Sequence, residues 1–353
     1  METRVVKADL EDWRTAAGEA AGVLRDGGVV ALPTETVYGL AADAFNAEAV
    51  AKVFEVKERP AFDPLIVHLA KAGDLTRVAA VPEDVAEVVK KLTGAFWPGP
   101  LTLVLPKNPE VPDLVTSGLP TVAVRVSKHE VMRGVAKELG NPIAAPSANL
   151  FGRISPTSAS AVISELGGRI PLVVDGGACA SGLESTIVAV EPAPPRAAGA
   201  KGSAEPKPII RILRPGPVTR EELRKFGKVI KAGRVTDKPE APGGLESHYA
   251  PRTPLLLFEK PEDFVPEEGK RYGLLSYRGE EKDGYLGRHD WARVEVMSPG
   301  SGKIAEAAVR FFFLLRQLDE SGLDAIVAEP VSDRALGAAV MDRLRRAAAR
   351  PHR

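Results

Sequence analysis

The stretch 57–68, KERPAFDPLIVH, limits what this chain can fold into more than any other part of the sequence. Proline fixes φ and disfavours helix in the residue before it, so a helix ending near Lys57 must stop before Pro60. The apolar run 65–69 that follows is typical of a buried strand, interrupted only by His68. Two cations at a helix end, leading into such a strand, suit an anionic ligand beside a second polar group. The same residues also fit a solvated helix end and a core histidine, because cations are favoured at helix C-termini.

Composition and charge fit a globular protein of two domains. The 353 residues, 44% apolar and 27% charged, correspond to about two domains of ~150 residues each. Lys+Arg 47 equals Asp+Glu 47, so no net charge attracts nucleic acid or a membrane. The single cysteine, Cys179, excludes an internal disulfide, has no adjacent base and is predicted to be a loop residue rather than a nucleophile. Without a signal peptide or an apolar run near ~20 residues, we expect a cytoplasmic protein with no membrane association.

The hydrophobic pattern predicts an α/β fold. Helices are expected at 10–26, 47–56, 82–92, 219–226, 303–318 and 333–349, and another is expected to begin at 155–157 with an N-cap signature. Strands are expected at 29–32, 65–69, 101–105, 121–126, 171–175, 209–213, 255–258, 272–276 and 325–328. Loop composition marks 191–208 and 238–244. The chain is therefore divided into a larger domain, 1–217, a linker, 218–251, and a smaller α/β domain, 252–353.

Hydroxyl-rich stretches lie next to two predicted strands. PTETVYGL at 33–40 follows the strand 29–32, and LEST at 183–186 precedes another apolar run. Strand ends in α/β sheets commonly carry ligand-contacting residues. Hydroxyls also serve as helix N-caps, so both uses remain open.

Arg125 lies in a strand otherwise built for burial. Period-two alternation places it with Thr121 and Ala123 on the less apolar face. A buried guanidinium needs a carboxylate or phosphate partner, and an internal acid and a bound ligand both fit. The small residues of 142–149 let a ligand approach the backbone, where Ser147 and Asn149 add donors.

Five stretches together resemble the threonylcarbamoyl-AMP synthase family. They are PTETVYGL at 33–40, the Lys-x-Arg pair at 57 and 59, PLIVH at 64–68, PSAN at 146–149 and EST at 184–186. Each is weak alone, but their order along most of the chain is similar to the long two-domain, Sua5 type. The resemblance implies a YrdC-like twisted mixed β-sheet with flanking helices, plus a smaller Rossmann-like α/β C-terminal domain.

The resemblance also implies a reaction. An L-threonylcarbamoyladenylate synthase, a nucleotidyltransferase, makes threonylcarbamoyl-AMP and pyrophosphate from L-threonine, bicarbonate and ATP. A separate tRNA threonylcarbamoyl transferase would use the product for the t6A37 modification of tRNA, so tRNA binding by this chain is not required. Mg²⁺ is expected with ATP, held by phosphate oxygens and water rather than by a protein cage.

Family correspondence implies roles for individual residues. Lys57 and Arg59 would be catalytic, clamping the phosphates on which charge develops. The implied ATP-binding residues are Lys57, Arg59, Asp63, Thr121, Ser147, Asn149, Ser155 and Arg214. The implied threonine-binding residues are Thr36, His68, Arg125, Ala145 and Ser185. No strong general base is evident, and His68 is interpreted as a binding residue.

The sequence departs from the family pattern at two places. Asp63 stands where the family usually has Asn, and its carboxylate would repel phosphate unless it meets a ribose hydroxyl or Mg²⁺. The linker PGGLE at 242–246 lacks the Pro-Gly-Met and the following aromatic residue that are common in the family. The C-terminal domain shows no catalytic constellation, and we expect it to support the site or to close over it.

Two other functions are compatible with parts of the pattern. A double-stranded RNA-binding module of the YrdC type would use basic residues, but the balanced charge and the missing basic-aromatic stripe disfavour it. Carbamoyl transfer from carbamoyl phosphate shares the bicarbonate-derived chemistry and would need no ATP cleavage.

Overall fold

The computed structural model of the protein describes residues 2–9, 12–194, 207–231, 241–242 and 245–349. Most of the predicted 191–208 loop, and the linker residues 232–240 and 243–244, lie outside the described residues. The strands are β1 Arg4–Lys7, β2 Val30–Leu32, β3 Gly39–Asp43, β4 Ile66–His68, β5 Leu101–Pro106, β6 Thr121–Arg125, β7 Ile143–Ala144, β8 Leu172–Asp175, β9 Thr186–Glu191, β10 Ile209–Arg214, β11 Lys228–Lys231, β12 Leu255–Leu257, β13 Tyr272–Ser276, β14 Arg293–Val296 and β15 Ala325–Ala328. The helices are α1 Trp13–Arg25, α2 Ala47–Lys57, α3 Glu83–Phe96, α4 Asp113–Thr116, α5 Glu130–Leu139, α6 Ala159–Leu166, α7 Arg220–Leu223, α8 Ile304–Asp319 and α9 Gly337–Ala348.

Two sheets organise the described chain. The larger is mixed, in the order β1-β8-β2-β3-β7-β4-β6-β5-β9-β10-β11, and the smaller is parallel, in the order β12-β15-β13-β14. Parallel strands require covered faces, and α8 and α9 pack against the smaller sheet. The predicted fold class, a large mixed sheet followed by a smaller α/β domain, is confirmed.

Helix α2 delivers the Lys-x-Arg pair to the sheet. Asn46 caps its N-terminus by accepting hydrogen bonds from the backbone N–H groups of Glu48 and Ala49. At the other end Glu58 adopts the left-handed conformation, with φ 53°, which ends the helix and turns the chain toward Pro60. The predicted helix stop before that proline is therefore confirmed.

Register brings two predicted site residues together. β4 and β6 are parallel neighbours that pair His68 with Arg125, and β7 pairs its Ile143 with His68 on the other side. Side chains at paired positions of adjacent strands share one face of the sheet. The imidazole and the guanidinium therefore lie side by side at the C-terminal ends of two internal strands of the sheet.

The smaller domain packs on the larger one through a shared apolar cluster. Val37 and Leu183 of the larger domain belong to the same buried cluster as Phe311 and Phe312 of α8. Among the described helices, none combines the length and apolar character needed to cross a membrane.

Some local predictions differ from the structure. The prediction that a helix begins at Ser155 is wrong. Helix α6 begins at Ala159 with Ser158 as its N-cap, and the Ser155 hydroxyl donates to Glu184 instead of capping a helix. Strands β1, β3, β11 and β14 were not predicted. Of these, β11 lies in the segment assigned to the linker, yet it pairs with β10 in the large sheet.

Candidate active site

A narrow pocket lies at the C-terminal ends of β4 and β6, two internal strands of the large sheet. The loop before β3, the turn after β7, the start of β9 and the end of the linker surround it. Its lining residues are Thr34, Thr36, Val37, Tyr38, Gly39, Arg59, Ile66, His68, Arg125, Ala145, Pro146, Ser147, Glu184, Ser185, Arg214, Pro242, His248 and Tyr249. The sequence-predicted residues in this lining are Thr36, Arg59, His68, Arg125, Ala145, Ser147, Ser185 and Arg214.

Arg125 has an internal acidic partner. Its Nη2 lies 2.7 Å from Glu35 Oε1, and its Nη1 donates to Thr36 Oγ1 at 2.9 Å. Of the two partners that the sequence left open, the internal acid is therefore present. Burial disfavours the charged Glu35 carboxylate, but Arg125 and the Ser127 hydroxyl, which donates at 2.5 Å, outweigh it and lower the Glu35 pKa.

His68 is held neutral beside this ion pair. Burial, followed by the positive charge of Arg125, lowers the pKa of His68 to about 3. Its Nδ1 is buried and accepts or donates no hydrogen bond within the described part of the chain. The imidazole thus offers one uncommitted polar atom to a small molecule in the pocket, and it adds no charge at neutral pH.

Arg59 is fixed by its own turn. Its Nη2 lies 2.8 Å from Asp63 Oδ2, and the guanidinium also donates to the backbone oxygens of Asp63, at 3.0 Å, and Pro64, at 2.8 Å. Both side chains of the ion pair are buried. Asp63 therefore has a partner that the sequence did not indicate: it neutralises and orients the cation predicted to bind phosphate.

Lys57 holds the segment opposite rather than lining the pocket. Its side chain is 1% exposed, and its Nζ donates to the backbone oxygens of Ser147, at 2.6 Å, and Asn149. Burial, and then the nearby Arg59 charge, lowers the Lys57 pKa well below its ordinary value. The ammonium thus ties α2 to the small-residue turn that brings Ser147 into the pocket.

The remaining predicted ATP contacts lie outside the lining. Asn149 Nδ2 donates to the backbone oxygens of Leu150 and Arg153, and the Ser155 hydroxyl donates to Glu184. Thr121 begins β6, four residues from Arg125, which places its Cα about 13 Å away along the strand. Their contacts with ATP stay predictions.

Ser185 and Arg214 form one wall of the pocket. Arg214 donates from Nε and Nη2 to the Ser185 backbone oxygen, at 3.1 and 3.0 Å, and from Nη2 to the hydroxyl at 3.1 Å. The Ser185 hydroxyl also lies 2.8 Å from Thr102 Oγ1 of β5. Strands β5, β9 and β10 are therefore joined at this wall.

The described end of the linker covers the pocket. Ala241 packs on Ile66, Ala123 and Ile187, and Pro242, His248 and Tyr249 line the cavity. The His248 and Tyr249 rings lie 4.2 Å apart in an edge-on contact. The sequence assigned these residues to the linker and predicted that a linker tied at His248 and Tyr249 lets the C-terminal domain close over the site; it did not predict that the two rings line the pocket.

Cys179 plays no part as a nucleophile. It is buried in a loop, as predicted, and burial raises its thiol pKa to about 12. The thiol is therefore protonated at neutral pH.

Comparison with known proteins finds matches along most of the chain. Residues 22–199 match the family model Sua5_yciO_yrdC, described as Telomere recombination, and residues 218–349 match the model described as Threonylcarbamoyl-AMP synthase, C-terminal domain. The chain is 39% identical to Threonylcarbamoyl-AMP synthase of Pyrococcus abyssi over 97% of this chain and 96% of that protein. It is 38% identical to that of Bacillus subtilis over 94% of this chain and 92% of that protein.

A solved structure agrees with these sequence matches. The crystal structure of Pyrococcus abyssi Sua5 complexed with L-threonine has a TM-score of 0.83 and 38% sequence identity to this chain, with 98% of each chain covered. The protein therefore belongs to the Sua5 family of two-domain threonylcarbamoyl-AMP synthases.

Proposed function

We propose that this chain is a threonylcarbamoyl-AMP synthase of the nucleotidyltransferase class. It joins L-threonine, bicarbonate and ATP into threonylcarbamoyl-AMP and releases pyrophosphate. The observation that carries the proposal is the convergence of Arg125, His68 and Thr36 with two further guanidinium groups, Arg59 and Arg214, in one buried pocket. A cytoplasmic location fits a reaction that consumes ATP and supplies a separate tRNA-modifying transferase.

The buried end of the pocket suits threonine. The guanidinium of Arg125, which already donates to Thr36, can also donate to the amino-acid carboxylate, because planar guanidinium groups bind carboxylates through pairs of hydrogen bonds. Neutral His68 provides a polar atom without adding a second positive charge. The neighbouring Ser185 hydroxyl and the small Ala145 leave room for a short polar side chain.

The part of the pocket lined by Arg59 and Arg214 suits a polyphosphate. The amino group of threonine attacks bicarbonate, water leaves, and an oxygen of the resulting carbamate attacks the α-phosphorus of ATP as pyrophosphate departs. Negative charge grows on the pyrophosphate, so the fixed guanidinium groups of Arg59 and Arg214 stabilise the transition state more than the ground state. The carbamate is unstable in water, and His248 and Tyr249 of the linker shield it.

Mg²⁺ would enter this site as a complex with ATP. Within the described ranges, no three His, Cys, Asp or Glu side chains gather as metal ligands could. The nearby carboxylates already face cations, Glu35 with Arg125 and Asp63 with Arg59. The residues therefore provide no protein cage, and phosphate oxygens and water are left to bind the ion.

Binding of ATP requires the linker to move. The pocket has a cavity volume of only about 40 Å³. Ala241 lies on the face of β4, β6 and β9 that continues from the pocket toward Thr121. An adenosine group reaching Thr121 along this face would displace that residue and its neighbour Pro242.

The proposed reaction predicts strict dependence on three substrates. The purified protein should release pyrophosphate from ATP only when L-threonine and bicarbonate are both present. An enzyme-coupled pyrophosphate assay, with each substrate omitted in turn, makes the measurement. If no pyrophosphate is released with all three substrates present, the proposal is wrong. Release of carbamoyl groups from carbamoyl phosphate without ATP cleavage would support the transfer reaction instead, and tight binding of double-stranded RNA that weakens steeply with salt would support the RNA-binding module.

The Asp63–Arg59 ion pair predicts a gain in ATP affinity on neutralisation. In Asp63→Asn the amide oxygen can still accept from Arg59, but the negative charge beside the phosphate position is gone. We expect the KM for ATP to fall about threefold to tenfold, while the KM for threonine stays unchanged. Asp113→Asn, at a carboxylate that is 82% exposed and pairs with Lys107, is the matched control. A rise in the ATP KM of Asp63→Asn would contradict this prediction and mean that the negative charge of Asp63 is needed to hold Arg59 in place for ATP.

A further inference from the structure

One fully buried arginine of the C-terminal domain reaches into the larger domain. Arg343 lies on α9, and its side chain has no exposed surface. Its Nε donates to Glu184 Oε2 at 3.1 Å, and its Nη1 donates to the Pro215 backbone oxygen at 2.6 Å. The guanidinium also lies over the Tyr249 ring, 5.3 Å from the ring centre. The C-terminal domain, in which the sequence shows no catalytic constellation, thus places a cation directly behind the pocket wall.

Arg343 has three acceptors, of which Asp342 Oδ2, 2.9 Å from Nη1, belongs to α9 itself. The other two, in the larger domain, are the immediate neighbours of two proposed substrate contacts. Glu184 precedes Ser185, and Pro215 follows Arg214. Glu184 itself lines the pocket, and its second carboxylate oxygen accepts from the Ser155 hydroxyl. One guanidinium therefore holds both chain segments from which the Ser185–Arg214 wall is made.

These two segments are packed closely against each other. A Cβ placed on Gly216 would lie 2.6 Å from the Glu184 backbone oxygen and 2.7 Å from the Ser185 carbonyl carbon. The Thr186 hydroxyl donates to the Val218 backbone oxygen at 2.7 Å. Because the segments touch without side chains between them, a shift at Glu184 or Pro215 is passed directly to the pocket wall.

Arg343 could instead serve only to hold the domains together. The structure offers a comparison, because Arg153 of the larger domain forms another ion pair across the same boundary, 3.3 Å from Asp319 of α8. Neither residue of that pair lines the pocket. Domain docking is common to both arginines, whereas contact with the wall belongs to Arg343.

We propose that Arg343 is a positioning residue that makes the C-terminal domain part of the active site. By fixing Glu184 and Pro215, it sets the distance between Ser185, toward threonine, and Arg214, toward the triphosphate. Without it, Glu184 is left with a buried charge and turns toward other partners, among them Arg214, so the wall loses its geometry. This inference rests on the proposed synthase function.

The test compares matched arginine variants of the full-length protein. In Arg343→Met, we expect the KM for threonine to rise about tenfold while kcat changes less than about threefold. In Arg153→Met, which also loses an ion pair between the domains, both constants should stay within about twofold of the wild type. Arg343→Lys, which keeps the charge but has no fork for two acceptors, should recover part of the threonine affinity.

Each outcome decides between the interpretations. Equal kinetic changes in Arg343→Met and Arg153→Met would leave Arg343 with a docking role and overturn the inference. Wild-type protein without pyrophosphate release would instead remove the proposed function. Should Arg343→Met fail to fold, the double variant Glu184→Gln/Arg343→Met leaves no buried charge unpaired. A wild-type threonine KM in that variant would also overturn the inference, and a raised one would support it.

Discussion

Arg59→Met should lower threonine-dependent pyrophosphate release by at least about a hundredfold, since removal of one fixed donor to a developing anion has effects of that size. The effect should fall mainly on kcat, because charge on the phosphate oxygens grows as pyrophosphate leaves. Steady-state kinetics with ATP and with threonine as the varied substrate measure it. A change confined to the KM for ATP would mean that Arg59 binds the ground state and has no special role in the transition state.

Lys57→Met should produce a similar loss for a different reason. The ammonium of Lys57 does not line the pocket; it ties α2 to the backbone of Ser147 and Asn149. Its removal should therefore displace Ser147 and also lower the midpoint of thermal unfolding. Lys52→Met, on the exposed face of the same helix, should change neither property and serves as the control. If Lys57→Met unfolds at the same temperature as the wild type and keeps full activity, the positioning role of Lys57 is contradicted.

Local physical rules predicted the framework of this fold well. Apolar runs in the sequence predicted β4, β13 and β15, because those strands are buried on both faces and contain few polar residues. The helix stop after Lys57 followed from the proline two residues beyond Glu58. Edge strands such as β1 and β14 escaped prediction because their burial is partial and they carry charged residues.

The sequence predicted single residues of the candidate site but not the contacts between them. His68 and Arg125 were identified as polar residues in apolar strands, and the register then brought them side by side. Ion-pair partners at the site come from distant segments: Glu35, the partner of Arg125, from the loop before β3, and Arg343, the partner of Glu184, from the last helix. No local pattern can indicate an ion pair whose members lie in different, distant segments of the sequence. Asp63 was obscure for another reason, because its partner Arg59 is reached through a turn whose geometry the sequence did not define.

Arg125→Leu should raise the KM for threonine about a hundredfold, equivalent to about 3 kcal/mol, while the KM for ATP changes little. The guanidinium is a buried cation paired with His68 across neighbouring strands, and it is the group proposed to bind the amino-acid carboxylate. Steady-state kinetics with each substrate varied in turn make the measurement. Equal rises in both KM values would remove the carboxylate assignment.

The same substitution should reverse the pH dependence that Glu35 gives to stability. In the wild type the Glu35 pKa is lowered, so its contribution is present above the ordinary carboxyl pKa of ~4.3 and is lost as the pH falls through the folded value. In Arg125→Leu the carboxyl group is buried without its cation, so its pKa rises and the folded state binds the proton more tightly than the unfolded state. The variant should therefore be destabilised by about 3 kcal/mol at pH 7 and regain stability as the pH falls toward 5.

Adding Glu35→Gln to Arg125→Leu separates the two effects. With no carboxyl group left to titrate, the double variant should recover most of the lost stability and show no gain between pH 7 and pH 5. Its KM for threonine should stay high, because the cation that the substrate carboxylate needs is still missing. Recovery of threonine affinity along with stability would show that Arg125 acts by neutralising Glu35 and not by binding the substrate. Chemical denaturation across this pH range, combined with calorimetric threonine binding, distinguishes these outcomes.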